Sequence, residues 1–225
     1  MTRDFSVLRS AADQFSAVQR QRVAAGQRAV AIEQGRDDGT PDFWRKWEER
    51  WREMEDLALE ELQAEAAFHP AYVELQKLSG IGPILAAEFL GIIGDFGRFD
   101  TISKLWAYAG LRPDQKMEKG VNINWSTRLK GLTGRMAVRL LMVGSAYRAI
   151  YDEAKADYQG RPEWTPLHID LASRRKMVKI LLAHMWILGR RAQGLPVSEP
   201  YAVAVLGHTG TRRPEEFFKA KPITA

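Results

Sequence analysis

Apolar residues recur every three or four positions along most of this chain, and runs of alternating Val, Ile and Thr are nearly absent. That spacing is the helical one, whereas half-buried strands alternate with a period of two. The pattern predicts an all-α protein. Thr2 to about Gln34 reads as a first helix, with Phe5, Leu8, Ala12 and Phe15 on one face. Gly35 to Pro41 is a cluster of breakers, and Thr40-Pro41 suits the start of a second helix running to about Phe68. On that helix Trp44, Trp47, Trp51, Met54, Ala58 and Leu62 keep helical spacing, with acids between them. Two such stripes joined by a short loop predict an antiparallel helical pair, or a coiled coil with another chain. The tryptophans fit a core or a dimer seam better than a base-stacking role, because their flanks are acidic.

His69-Pro70 ends the pair. A short helix to Leu78 follows, then the turn Ser79-Gly-Ile-Gly-Pro83, then an apolar helix over Ile84–Ile93. Gly94 to Phe99 reads as a turn, and Asp100 or Thr101 caps a helix ending at Gly110. Arg112 to about Asn124 is polar and glycine-containing, hence a loop. A helical region begins near Ser126, loosened at Gly131, Gly134 and Gly144-Ser145, and continues over Ala146–Gln159. Thr165-Pro166 opens another helix to Gly194, and Ser198-Glu-Pro200 opens a short last one. The expected organisation is a helical pair at 1–68 suited to dimerisation, a helical domain at 69–207 and a loose tail at 208–225.

With 225 residues, 45% of them apolar and 27% charged, the chain has the makings of a globular core. The absence of cysteine excludes disulfides, zinc-thiolate sites and a cysteine nucleophile. The four histidines are scattered, which argues against a metal site built on them. The longest apolar runs, near Ile84–Gly94 and Ile180–Gly189, fall short of the ~20 residues a spanning helix needs. The charged N-terminus lacks the apolar core of a signal peptide. A cytoplasmic protein with no membrane partner is expected.

Charge divides the chain. Residues 1–78 carry 11 basic and 15 acidic side chains, which leaves net +9 on residues 79–225 out of the total of +5. Arg112, Lys116, Lys119, Arg128, Lys130, Arg135, Arg139 and Arg148 crowd one stretch that holds only Asp114 and Glu118 in opposition. Such asymmetry points to a polyanionic partner such as a nucleic acid, with a solvated basic face as the bland alternative.

Three stretches carry candidate chemistry. A short helix, a Gly-x-Gly turn and an apolar helix at Leu78–Ala87 make the pattern of a helix-hairpin-helix. Glycines permit positive φ and close approach of a phosphate, and the following helix opens with unpaired amides. Gly80, Ile81 and Gly82 are therefore candidate nucleic-acid contacts, and a plain tight turn is the bland alternative. Lys119 to Arg135 mixes Gly, Asn, Ser and basic residues. It leads into a helix on which Arg128, Arg135 and Arg139 share a face, with Lys119 and Lys130 nearby. Trp125 there fits the core better than a stacked base. Arg174 and Arg175, with Lys176 and Lys179, make a basic face on an otherwise amphipathic helix. Asp95 and Asp100 fit helix caps better than a metal pair. Ser126 fits both a helix cap and a cation-assisted nucleophile.

Leu78-Ser-Gly-Ile-Gly-Pro-Ile-Leu-Ala-Ala87, Ile93-Gly-Asp-Phe-Gly-Arg-Phe99 and Lys104-Leu-Trp-Ala-Tyr-Ala-Gly-Leu111, in this order, resemble the C-terminal domain of the insertion-sequence 110/116/902 transposases. Arg128-Leu-Lys-Gly131, Tyr147–Tyr158 and Lys176–Trp186 extend the resemblance over roughly residues 70–207. The resemblance implies a domain that acts on DNA and supplies a serine nucleophile, which here falls on Ser126, the single serine between Ser103 and Ser145. In that family a resolvase-like domain with four acidic residues and a coiled coil precede this domain, and a structured RNA guides target choice. Residues 1–68 read as helical and carry no strand-borne acidic tetrad, a departure from that pattern. No cofactor is expected, Mg2+ entering only with a partner catalytic domain. Three functions remain open: a DNA-binding protein of a prokaryotic mobile element or phage that acts in transposition or recombination through the phosphate backbone, an active serine recombinase subunit, and a non-catalytic helical scaffold. DNA, structured RNA and a second copy through residues 1–68 are the expected partners.

Overall fold

The computed structural model describes residues 4–112, 120, 122–198 and 212–219. Among these it has eight α-helices, two short 3-10 helices and no strand beyond one isolated bridge. The all-α expectation is met. Contacts divide the chain into two units, residues 1–69 with 90–94, and residues 70–89 with 95–225.

The first unit is built on α1 (Ser6–Glu33) and α2 (Pro41–Ala67). Pro41 stands at the first helical position, and the turn before it uses Gly35 and Gly39 at positive φ. Cross-helix pairs run in opposite senses. Arg22 and Gln19 meet Glu55, while Glu33 meets Arg45. The pair is therefore antiparallel. Leu8, Ala12, Phe15 and Val18 of α1 are buried, as are Ala58, Leu62 and Ala66 of α2. The tryptophan stripe is not the core of the unit. Trp44 and Trp51 are half-buried and Trp47 is 37% exposed, in line with exposed Phe43, Met54 and Leu57. Gly91, from the 90–94 segment, packs so closely that a Cβ there would lie 2.3 Å from the Cβ of Ala12.

The second unit is organised on α8 (Pro166–Ala192), introduced by Thr165, whose Oγ1 accepts from the His168 amide. Around it stand α3 (Tyr72–Gln76), α5 (Ile102–Tyr108), α6 (Thr127–Met142) and α7 (Arg148–Gln159). Helix α4 (Pro83–Ile93) gives this unit its residues up to Phe89. Gly131 and Gly134 do not interrupt α6, because its buried face of Leu129, Leu132, Met136, Ala137 and Leu140 outweighs their poor helix propensity. At the 3-10 turn Phe96–Arg98 the Phe96 ring fits against Gly189 of α8. Beside it the buried Arg190 donates to the carbonyls of Phe96, Phe99 and Pro196. Trp186 donates its indole N–H to the Phe99 carbonyl at 2.7 Å.

The tail departs from expectation where it is described. Residues 212–219 carry a 3-10 helix, Pro214–Phe217, with Pro214 and Phe217 buried. The expected helix after Ser198 lies outside the described residues.

Candidate nucleic-acid interface

The two hairpin glycines do different things. Gly80 has φ +83°, and a Cβ built on it would meet Leu140 Cδ2 at 2.5 Å and Ser145 Cβ at 3.3 Å. Its missing side chain admits the end of α6. Gly82 has no heavy atom within 4 Å of such a Cβ and faces open space. Ile81 between them is fully buried, and its amide donates to the Leu78 carbonyl at 3.1 Å. It pins the turn, contrary to the expectation that its amide greets a ligand. The first intrahelical bond of α4 runs from the Ala86 amide to the Gly82 carbonyl, so the amides of Ile84 and Leu85 sit in the first turn, where no helical carbonyl can serve them.

This first turn borders an open groove of about 660 Å³ lined by residues Ser79 to Leu85, Arg135, Arg139, Val143 and Lys219. The helical face drawn from the sequence is thus brought to the hairpin for two of its three arginines. Arg135 also pairs with the buried Glu88, which fixes its direction and offsets its charge. Arg139 is exposed and makes no ion pair among the described residues. Among the described residues no carboxylate lines the groove. Lys219 was hidden from sequence reasoning because nothing local in the tail announces where it ends up.

The other expected contacts are placed elsewhere. Arg128 is half-buried and does not line the groove. Lys130 holds its ammonium 4.9 Å above the Trp125 ring, which is itself wedged on Gly110. Arg174 pairs with Asp170, one turn earlier on α8. Arg175 donates to the carbonyls of Leu111 and Arg112, so it anchors the start of the loop. Lys179 lies 4.2 Å over Trp106, and burial, with the Arg175 charge behind it, holds its ammonium below the ordinary lysine range. Lys119 lies outside the described residues. Ser126 occupies the N-cap of α6, and its Oγ accepts from the Leu129 amide at 3.1 Å. Asp95 caps the turn at Gly97 with a 2.7 Å bond, and Asp100 pairs with Lys104 at 2.8 Å. No group of three or more His, Asp or Glu side chains suited to a metal ion occurs among the described residues. No helix among them is long and apolar enough to cross a membrane.

Neither a curated protein nor a solved structure matches the chain. A family model does, from within α3 to the last residue of α7, a span that holds the hairpin, α4, α5 and the arginines of α6 but neither α8 nor the tail. Residues 73–159 match the model of the transposase IS116/IS110/IS902 family.

Proposed function

We propose that this protein binds DNA through the phosphate backbone at the glycine hairpin and serves a transposition or recombination system. The observation that supports this most directly is the groove. The first turn of α4, with amides that no helical carbonyl serves, and Arg135 and Arg139 line one opening, to which no carboxylate contributes among the described residues, within the segment that matches the transposase family. Amides and cations so placed take a phosphodiester without reading a base. Binding is accordingly sequence-tolerant and steeply salt-dependent. Electrophoretic shift with random duplex DNA at about 50 mM salt should show a complex that fades as salt rises, and Arg139→Ala should weaken it. The absence of any complex at that salt would remove the proposal. Structured RNA enters the same assay as a competitor.

Residues 1–68 supply the second part of the reading. Phe43, Trp47, Met54 and Leu57 form an exposed apolar line along α2 at helical spacing, the kind of seam that a second copy covers. Sedimentation should find a dimer that Trp47→Glu with Leu57→Glu separates, and a monomeric wild type would refute this part. The capping bond made by Ser126 favours a structural role for that residue over a nucleophilic one.

A further inference from the structure

Residues 212–219 lie beyond the segment that matches the transposase family, yet they are fastened to the segment that leads into the hairpin. The Phe217 ring sits 4.6 Å from Tyr147 and 4.9 Å from His184. His184 Nε2 donates to the Arg212 carbonyl at 2.9 Å, and Tyr147 donates its hydroxyl to Nδ1 of the same ring at 2.8 Å. Arg212 pairs with Glu153, and Glu215 pairs with Arg191 at 2.6 Å. The Ser79 amide donates to the Phe217 carbonyl and the Lys219 amide to the Lys77 carbonyl, both at 2.8 Å, on either side of an antiparallel bridge between Leu78 and Phe218. This is a strap laid along Lys77 to Ser79, and it ends by placing exposed Lys219 in the groove with Arg135 and Arg139.

We propose that the strap is part of the binding site: it braces the entry to the hairpin and supplies Lys219 as a third cation for the phosphate backbone of duplex DNA. The proposal rests on the backbone-binding reading above. Charge makes the contribution of Lys219 large. Arg135 is offset by its partner Glu88, so the groove's net charge of about +2 comes from Arg139 and Lys219, and it halves when Lys219 is neutralised. Lys219 also has no ion-pair partner among the described residues that would have to be broken first.

The test is fluorescence anisotropy of the full chain on a random 20-base-pair duplex between 50 and 200 mM salt. Lost counterion release at one phosphate predicts that Lys219→Ala binds about eightfold more weakly near 0.1 M salt, with a slope of log K against log salt shallower by about 0.9. Lys219→Arg should keep the wild-type slope, and Lys46→Ala on exposed α2 should change neither quantity. Phe217→Ala releases the strap and should reproduce the Lys219→Ala slope, with far-UV circular dichroism confirming the helices. If Arg139→Ala flattens the slope but Lys219→Ala does not, the strap is overturned while the hairpin reading stands. If neither does, the hairpin reading itself falls. An equal loss in Lys46→Ala would show that charge anywhere suffices, and would also overturn the proposal.

Discussion

Alanine at each hairpin glycine separates a position closed by packing from one left open. At Gly80 the backbone has φ +83°, in the left-handed region that costs an L-residue roughly 1–2 kcal/mol. The added methyl would also lie 2.5 Å from Leu140 Cδ2, in a side chain that is fully buried and has little room to yield. Overpacking of this kind costs about 1–3 kcal/mol, so Gly80→Ala should lose about 2–5 kcal/mol in all. That is a large share of the 5–15 kcal/mol that holds a typical domain together. Gly82→Ala meets nothing within 4 Å and has an ordinary φ. Its loss of unfolded-chain freedom should leave stability unchanged or raise it by about 0.4–1 kcal/mol. Urea unfolding followed by far-UV circular dichroism measures both. With Gly82→Ala folded, any loss of duplex binding reports a backbone approach at that residue. Either of two results would refute the reasoning: Gly80→Ala within about 0.5 kcal/mol of wild type, or Gly82→Ala destabilised by more than about 1 kcal/mol.

Three further outcomes are expected. Burial holds the His184 imidazole below its ordinary range, against the opposing pull of the Arg212 carbonyl and of Glu216 and Glu215. The buried Tyr147 hydroxyl stays protonated, because burial pushes it far above the usual phenol range. A histidine whose folded pKa is depressed gives full stability above its unfolded value of about 6.5 and loses it as pH falls below that. Thermal melts from pH 8 to pH 5 should therefore drop below about pH 6.5, and the drop should shrink in His184→Gln; a flat profile would contradict the buried neutral ring. Ser126→Ala removes the cap of α6 and should cost about 1 kcal/mol, which Ser126→Asp recovers, as read from melting temperature; equal melting of all three would mean the cap contributes nothing. Gly189→Ala would set a methyl 2.1 Å from the Phe96 ring and should cost about 3 kcal/mol or more in urea unfolding, with partial recovery on adding Phe96→Leu.

Local patterns were legible where local physics decides them. Thr40-Pro41, Ser126 and Thr165-Pro166 mark the starts of helices they do open, and Arg174 pairs with Asp170 at a spacing of four readable on any helical wheel. The wheel also placed Arg128, Arg135 and Arg139 on one face. It could not tell that Arg135 and Arg139 reach the hairpin and Arg128 does not, since neighbours from distant parts of the chain decide this. The glycines show the same boundary. A Gly-x-Gly turn is visible in sequence, but only the arrival of Leu140 makes one position crowded and the other open. Residues 212–219 were misjudged because Pro, Gly and mixed charge dominate their surroundings. The available signal was Arg213-Pro-Glu-Glu-Phe217, where the Glu216 carboxylate accepts from the Arg213 amide and an aromatic anchor follows.

The corner at Phe96–Phe99 bears on how this domain would come apart in acid. Arg190 is held by three main-chain oxygens. A guanidinium bound to peptide carbonyls has no titrating partner to lose. Protonation of His184 therefore works on the C-terminal segment it holds, while the three bonds of Arg190 have no acid-labile partner.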